Sequence, residues 1–268
     1  LAQCAEGPDR FDVVIHCAAV RHRHRVPESE YGRVNVALTR QVIDIVRRRG
    51  GRLVDVSSIA VYGWPRELPI DETRPYAPVG PYGASKVETE RMVRGSGVPF
   101  TIVQPSITYG PGDTNGMIDK MFRMIARGRF VVPGLGTARV KLVFVEDLAR
   151  LVVAAAARES TLGEAFICTH RDPVRVGDLV QRMASIVHRW IPAIGPPTGL
   201  LRLAALPFEL ADALRLLGGE PPLTREKLAT ISVDRAYRID KMRRLLGSEP
   251  ETSLEDGLRR TAEALGIA

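Results

Sequence analysis

Three apolar runs that alternate with helical patterns constrain the fold of this chain most strongly. Phe11–His16, Arg52–Ser57 and Phe100–Gln104 are short, nearly continuous apolar segments, as buried strands are. The segments from about Glu28 to Arg49 and from about Tyr82 to Arg94 have helical periodicity. Buried strands that alternate with helices are typical of a parallel sheet covered by helices on both faces. The pattern therefore predicts an α/β fold with a doubly wound parallel sheet.

The second half of the chain has a different character. Two strand-like runs, Lys141–Val145 and Ala165–Cys168, flank a helical pattern from Glu146 to about Arg158. Further helical patterns follow at Val176–Trp190, Leu200–Leu217, Arg225–Ile231 and Ser253–Leu265. We therefore expect residues 161–268 to form a smaller, mostly helical lobe, to which residues 106–135 also contribute.

Composition limits the classes of function. The net charge is +7, but the basic residues are scattered and no nucleic-acid-binding motif accompanies them, so we expect no nucleic-acid partner. No apolar run approaches the roughly 18 residues that span a bilayer, so we expect no stable membrane insertion. Three cysteines, Cys4, Cys17 and Cys168, have no metal-site spacing, and we expect buried free thiols at Cys17 and Cys168. A reducing cytoplasm and no metal fit this pattern.

Tyr82 and Lys86 are the most informative polar pair. Residues four apart lie on one face of a helix, and an ammonium beside a phenol favours the ionised phenol. Such a tyrosine exchanges a proton with a substrate hydroxyl or carbonyl. Ser57 and Ser58, about 24 residues earlier, follow a predicted strand and could hold the same oxygen. This combination is typical of a site that interconverts an alcohol and a carbonyl.

Five further segments occur with this pair in a fixed order. They are the His16–Ala19 strand end, Val34–Val36, Val56–Gly63 and Pro105–Gly112, followed by Phe144–Ala149. Together the segments resemble the extended short-chain dehydrogenase/reductase family, also named the NAD-dependent epimerase/dehydratase family. The resemblance covers almost the whole chain and implies an enzyme that uses NAD or NADP.

The resemblance also implies roles for individual residues. Tyr82 is the general acid/base, Lys86 supports its ionisation and holds the nicotinamide ribose, and Ser58, rather than Ser57, positions the substrate oxygen. The residues expected to contact the cofactor are His16, Ala18, Ala19, Asn35, Tyr82, Lys86, Pro105, Ser106 and Ile107. For Asn35 a structural role is equally open, and for His16 a hydrogen-bonded structural role is favoured over a catalytic one. Homodimers are frequent in the family.

The family's glycine-rich phosphate-binding turn has no counterpart before Asp12. We therefore expect residues 1–160 to be a partial dinucleotide-binding domain that lacks this turn, with residues 161–268 as the substrate-binding lobe. We also expect the sheet to expose an apolar edge at Phe11–His16 and the chain alone to bind dinucleotide poorly.

The substrate is less constrained. Ile59 and Ala60 stand where related dehydratases have an acidic pair, which disfavours elimination. Our prediction is hydride transfer between NAD(P) and a small-molecule secondary alcohol or ketone, as in hydroxysteroid dehydrogenases and dihydroflavonol reductases. An NAD-dependent sugar or nucleotide-sugar epimerase is the alternative, and a non-catalytic NAD(P)-binding protein is a second one.

Two segments have no settled role. Arg21–Arg25 is either a solvated loop or a site that captures a phosphate or carboxylate of the substrate. For Leu200–Leu217 we expect a buried helix of the lobe, and the alternatives are a lipid-sized pocket or contact with a membrane surface.

Overall fold

The computed structural model describes residues 10–21, 25–64, 67–114 and 116–268. These residues form two compact units that interleave along the chain. The first comprises residues 1–106, 146–171 and 237–250, and the second comprises residues 107–145, 172–236 and 251–268. The strand at 165–168 and the helix at 240–246 thus belong to the first unit, although the sequence pattern assigned residues after 160 to the lobe.

The first unit contains a four-stranded parallel sheet, which confirms the predicted fold class. Its strands are β1 (Val13–His16), β2 (Arg52–Val56), β3 (Phe100–Pro105) and, at the far edge, a fourth strand, Ala165–Cys168. They pair in that order, with His16 opposite Asp55, and Val56 opposite Val103. In the part of the chain that is described, β1 forms the opposite edge, and Ile15 on it is exposed.

Helices of the first unit connect these strands. The predicted helix at 28–49 is present as α1 (Glu28–Tyr31) and α2 (Ala37–Arg49), joined by a π-helical turn at Gly32–Val36. The helix that bears Tyr82 is α3 (Gly80–Arg94). A 3₁₀ turn, Ile59–Tyr62, follows β2. Val42, Val46 and Leu53 belong to the buried apolar core beside the sheet.

The second unit has its own apolar core and two small sheets. In chain order, the fourth strand of the first unit, Ala165–Cys168, is β7, and Val174–Arg175 is β8. In the second unit, β4 (Ile107–Tyr109) pairs in parallel with β6 (Leu142–Phe144). β5 (Arg139–Val140) pairs with β8 in antiparallel orientation. The remaining helices are α4 (Met117–Ala126), α5 (Val145–Ala157), α6 (Val176–Ile186), α7 (Thr198–Ala213), α8 (Arg225–Ser232), α9 (Asp240–Leu246) and α10 (Leu254–Ala264).

Two expectations about burial were wrong. The Leu200–Leu217 segment forms α7, but almost all of its side chains are exposed or half-buried, and Ala205 is its one buried residue. Helical periodicity locates a helix without showing whether another element covers it. Cys17 is exposed because β1 ends at His16, whereas Cys168 is buried within β7. Among the described residues, no helix combines the length and apolar character needed to cross a membrane.

Candidate active site

The candidate site residues of the first unit lie at one edge of its sheet. β1, β2 and β3 run parallel, so their carboxyl ends meet at the same edge. These strands end at His16, Val56 and Pro105, and Ser58 follows β2 by two residues. Ligands of open α/β sheets bind outside the carboxyl ends of the strands. The topology therefore places these residues where a ligand site is expected.

Lys86 connects helix α3 to this edge. Its side chain is buried, with a relative exposure of 5%, and its Nζ donates a 2.9 Å hydrogen bond to the carbonyl oxygen of Val56. Tyr82, one turn earlier on α3, is half-buried, and its ring centroid lies 6.4 Å from that of Tyr31. The end of β2 and the tyrosine helix are thus held together by a buried ammonium.

Gly83 allows α3 to approach the turn that follows Ser58. A Cβ atom at position 83 would lie only 2.9 Å from the carbonyl oxygen of Ala60. Any larger residue would push the start of α3, and with it Tyr82, away from this turn. Close packing of α3 against this turn therefore explains why residue 83 is a glycine.

The two adjacent serines have different surroundings. Ser57 is buried and donates a 2.5 Å hydrogen bond to Glu90 Oε1. Ser58 is half-buried, and its Oγ accepts a 3.2 Å hydrogen bond from the backbone N–H of Ala60 as the N-cap of the 3₁₀ turn. Within the described residues, no group accepts the hydroxyl proton of Ser58. This difference supports Ser58 as the serine that can donate to a ligand.

A buried network centred on Glu90 lies behind the serines, and sequence reasoning missed it. Glu90, one turn after Lys86 on α3, accepts hydrogen bonds from Ser57, from Tyr76 at 2.5 Å, and from Gln104 Nε2 at 2.9 and 3.0 Å. Gln104 Oε1 in turn accepts from the hydroxyl of Tyr62 at 2.8 Å. The one available signal was the four-residue spacing from Lys86 to Glu90 on a single helix face.

Electrostatics agree with this hydrogen-bond pattern. Burial raises the pKa of Glu90, against the opposing effect of the three side chains that donate to it. Burial and the charge of Glu90 raise the pKa of Tyr76 to about 12, so the phenol stays a donor. The network fixes the end of β2, the helix α3 and strand β3 relative to one another.

Asn35 fastens the loop after β1 to the same helix. Its Oδ1 accepts from the N–H of Val20 at 2.7 Å, and its Nδ2 donates to Val20 O and to Ser85 Oγ at 3.1 and 3.0 Å. Ser85 Oγ donates at 2.8 Å to the carbonyl oxygen of Tyr82. Asn35 lies in the π-helical turn, a feature frequent at functional sites. All the hydrogen-bonding atoms of its amide are thus engaged in positioning.

His16 and Asp55 are buried neighbours on β1 and β2. His16 Nε2 lies 3.1 Å from Thr39 Oγ1. Burial, and after it the charge of Lys86, lower the pKa of His16 to about 4, so its ring is neutral at pH 7. Burial raises the pKa of Asp55, and Asp55 Oδ2 has no hydrogen-bond partner among the described residues. A neutral His16 holds structure without adding charge to the edge.

The other predicted cofactor contacts fall in different places. Ala18 is exposed and Ala19 half-buried, both just beyond β1. Pro105 ends β3, and Ser106 is buried, with its Oγ 2.7 Å from Thr169 Oγ1. Ile107 begins β4 of the second unit. Positions 22–24 of the Arg21–Arg25 segment lie outside the described residues.

The donor set of Lys86 provides a test of whether a nucleotide ribose fits this edge. An ammonium has three N–H donors, and the described residues use one of them, for Val56 O. Buried donors need partners, and ribose hydroxyls accept such bonds. The small residues Ala18 and Ala19 follow the neighbouring strand β1. The residues present at this edge therefore fit the sugar of a dinucleotide.

Comparisons with known proteins show which sequences and folds the chain resembles. The model of the NAD-dependent epimerase/dehydratase family matches residues 3–168. An N-acetyl-alpha-D-glucosaminyl-diphospho-ditrans,octacis-undecaprenol 4-epimerase of Escherichia coli O157:H7 is 28% identical, over 76% of this chain and 63% of that protein. A 2-alkyl-3-oxoalkanoate reductase of Stenotrophomonas maltophilia is 30% identical, over 86% of this chain and 73% of that protein. The chain thus spans less than two thirds of the first relative and about three quarters of the second.

A solved structure shares the fold. The UDP-glucuronic acid 4-epimerase of Bacillus cereus, solved in complex with NAD, superposes with a TM-score of 0.74 at 18% identity. The match covers 96% of this chain and 74% of that one. At this level of identity the similarity concerns the fold.

Proposed function

Because the chain belongs to the NAD-dependent epimerase/dehydratase family, we propose that it is an NAD(P)-dependent oxidoreductase that interconverts a secondary alcohol and a ketone. The observation that supports this most is the buried Lys86, which lies one turn from Tyr82 and donates to the strand end that leads to Ser58. A proton-transfer group, its supporting cation and an oxygen-holding hydroxyl then belong to one unit.

Each of the three side chains has one role in the proposed reaction. The nicotinamide, when bound, supplies or accepts the hydride at the carbinol carbon. Ser58 donates its free hydroxyl proton to the substrate oxygen and so fixes its position. In the oxidation direction Tyr82 takes the proton from the substrate hydroxyl, and in reduction it returns that proton to the carbonyl oxygen. Lys86, one turn from Tyr82 on α3, holds the ribose hydroxyls.

Residues beside Ser58 favour simple redox chemistry. Ile59 is buried and Ala60 is half-buried in the 3₁₀ turn, and neither side chain has a proton to give. Elimination of water would need an acid there. The reductase from Stenotrophomonas maltophilia, whose name specifies an alkyl-substituted keto acid, supports a ketone that carries alkyl chains as the substrate class.

An epimerase is the second candidate, since the relative from Escherichia coli has that activity in its name. In that reaction the hydride is removed and returned to the other face of the same carbon. The same Tyr82, Lys86 and Ser58 would serve both reactions, so the difference lies in whether the cofactor changes oxidation state over a full turnover.

Cofactor balance separates the two candidates. In a form of the protein that includes a glycine-rich phosphate-binding turn, we expect apolar secondary alcohols to be oxidised with NAD⁺ or NADP⁺, forming one reduced cofactor per ketone, as followed by cofactor absorbance and product analysis. UDP-hexoses should give no turnover. Inversion of a sugar carbon without net cofactor reduction would contradict the dehydrogenase proposal and establish the epimerase. Bound cofactor with neither reaction would favour a non-catalytic protein.

The proposed function also implies a role for each unit and a location in the cell. We propose that the first unit holds the dinucleotide and that the second unit is the substrate lobe, the roles that the sequence pattern predicts for residues 1–160 and 161–268. A cytoplasmic location is consistent with the exposed free thiol of Cys17 and the buried free thiol of Cys168.

A further inference from the structure

Helix α7 of the second unit presents an exposed face of leucines. Leu200, Leu203, Leu210 and Leu214 follow helical spacing, so they lie along one face of the helix and its C-cap. Leu203 and Leu210 are 63% and 62% exposed. The charged residues of α7, Arg202, Glu209 and Asp212, occupy other positions on the helix. A soluble surface helix normally has the reverse arrangement, with its apolar face buried.

Loops beside the start of α7 extend this apolar face. Two backbone hydrogen bonds, both 2.9 Å long, join the loop at Gly134 to the loop at Gly195 and Pro196. Gly134 N–H donates to Pro196 O, and Gly195 N–H donates to Gly134 O. This pairing places Leu135 and Ile194, both largely exposed, next to the first turn of α7. We refer to these side chains as the leucine platform, which consists of Leu135, Ile194, Leu200, Leu203, Leu210 and Leu214.

A tryptophan and several arginines border the leucine platform. Trp190 is 83% exposed and precedes Ile194 by four residues. Arg189 donates from Nε to Ala126 O at 3.1 Å, which places it beside the segment that contains Arg127 and Arg129. Arg127, Arg129, Arg189 and Arg202 are exposed, and none forms an ion pair with a residue in the described ranges.

Other surface arginines of the same unit do find acidic partners. Arg225 pairs with Glu209 at 2.8 Å, and Arg259 pairs with both Asp256 and Glu263. Within the described ranges, the arginines at the border of the leucine platform are therefore positive charge without an acidic partner.

Exposed leucines, an exposed tryptophan and unneutralised arginines together match the chemistry of an anionic lipid surface. Leucines enter the boundary between headgroups and acyl chains, tryptophan prefers the headgroup level, and arginines attract anionic lipids. A second copy of the chain fits less well, because a two-fold contact would place the same arginine-bordered face on both sides and would supply no anionic group to these arginines. We propose that the leucine platform docks this protein reversibly onto membranes that contain anionic lipids.

This docking is independent of the proposed reaction. α7 has 16 residues and would lie in the plane of the interface, with its leucines inward and Glu209 and Asp212 directed elsewhere. Because the leucines are already exposed, no core has to open for binding. The proposal is therefore tested by binding alone, with the catalytic residues intact.

Flotation with lipid vesicles tests the proposal. We expect the protein to bind vesicles of phosphatidylcholine with phosphatidylglycerol, and to bind pure phosphatidylcholine vesicles far more weakly. The double variant Leu203→Glu/Leu210→Glu should lower the affinity about tenfold or more. Arg127→Gln and Arg129→Gln should each lower it about fivefold, and added salt should do the same.

A matched control separates the leucine platform from exposed apolar residues in general. Val153 on α5 of the first unit is also exposed, so Val153→Glu should leave vesicle binding unchanged. In a Trp64→Phe background, Trp190 emission should shift to the blue on anionic vesicles. No binding to anionic vesicles, equal binding to neutral ones, or unchanged binding of the double variant would overturn the proposal. So would a homodimer that the double variant dissociates in the absence of vesicle binding.

Discussion

The two units of this protein depart from the usual distribution of residues in opposite directions. The first unit buries polar and charged side chains, among them Lys86, Glu90 and Asn35. The second unit exposes leucines along α7, although it has a well-filled apolar core of its own. Burying a charge costs free energy unless it is hydrogen-bonded, and exposing leucines forgoes the benefit of burial.

The difference separates two kinds of functional surface. In the first unit, buried polar groups bond to one another and hold a small set of reactive groups at the sheet edge. Precision requires such satisfied networks. In the second unit, the exposed leucines of α7 form no comparable hydrogen-bond network. Such a face suits an extended surface, such as a membrane, that is recognised with little specificity. Substitutions in the two units should therefore affect different properties, and the largest effect is expected in the buried polar network of the first unit.

Removing the carboxylate of Glu90 should be the most damaging change to stability. Glu90→Ala leaves Ser57, Tyr76 and Gln104 as buried donors without their acceptor, so we expect a loss of about 3–5 kcal/mol. Glu88 lies on the same helix but is exposed, and Glu88→Ala should change stability by less than about 0.5 kcal/mol. Urea unfolding of both variants provides the comparison, and equal losses would contradict the network.

Acidification should reveal the burial of His16. Its pKa is about 4 in the folded protein and near 6.5 when unfolded, so the unfolded chain binds the proton more readily. The stability that this neutral histidine contributes is complete above pH 6.5 and is lost as the pH falls to about 4, by about 3 kcal/mol.

The pH experiment needs a difference measurement. Asp55 and Glu90 have raised pKa values, so their effect on the stability of the protein at low pH is opposite to that of His16. This effect is the same in wild type and in a His16→Gln variant, and it cancels when the two proteins are compared. The free energy of unfolding of wild type minus variant should therefore fall between pH 6.5 and 4. A difference that is independent of pH would show that His16 is not buried as described.

The adjacent serines should separate stability from activity. Ser57→Ala removes a buried hydrogen bond and should cost about 1–2 kcal/mol of stability with little change in kcat. Ser58→Ala should lower kcat about 100-fold and stability by less than about 1 kcal/mol. Exchanged phenotypes would assign the oxygen-holding role to Ser57.

The exposed leucines should contribute least to stability. We expect Leu203→Ala to change the free energy of unfolding by less than about 0.5 kcal/mol. Leu179 on α6 is fully buried, and we expect Leu179→Ala to lower the free energy of unfolding by about 2–5 kcal/mol. A large loss at Leu203 would mean that α7 is covered in solution.

The sequence predicted the parts of the fold that depend on local pattern. Apolar runs identified β1, β2 and β3 within one or two residues, because strands buried on both faces are apolar throughout. It did not predict which helices are covered, since the leucines of α7 have the same spacing as those of a buried helix. It anticipated that residues 106–135 contribute to the lobe, but not that residues 161–171 and 237–250 return to the first unit.

For the candidate site, the sequence provided the reactive residues and the structure provides their support. The roles of Tyr82, Lys86 and Ser58 stay predictions, which the hydrogen bond from Lys86 to Val56 supports. The network of Glu90 could not be predicted, because Ser57, Tyr76 and Gln104 come from three separate segments. Only their arrangement in space makes a buried glutamate acceptable.

The central claim is that Tyr82 transfers the proton in a reaction supported by the buried groups of the first unit. Tyr82→Phe keeps the ring beside Tyr31 and removes only the hydroxyl. We predict that kcat falls about 1,000-fold while the Kd for the nicotinamide cofactor stays within about twofold of wild type. A Tyr82→Phe protein that keeps wild-type kcat would contradict the account.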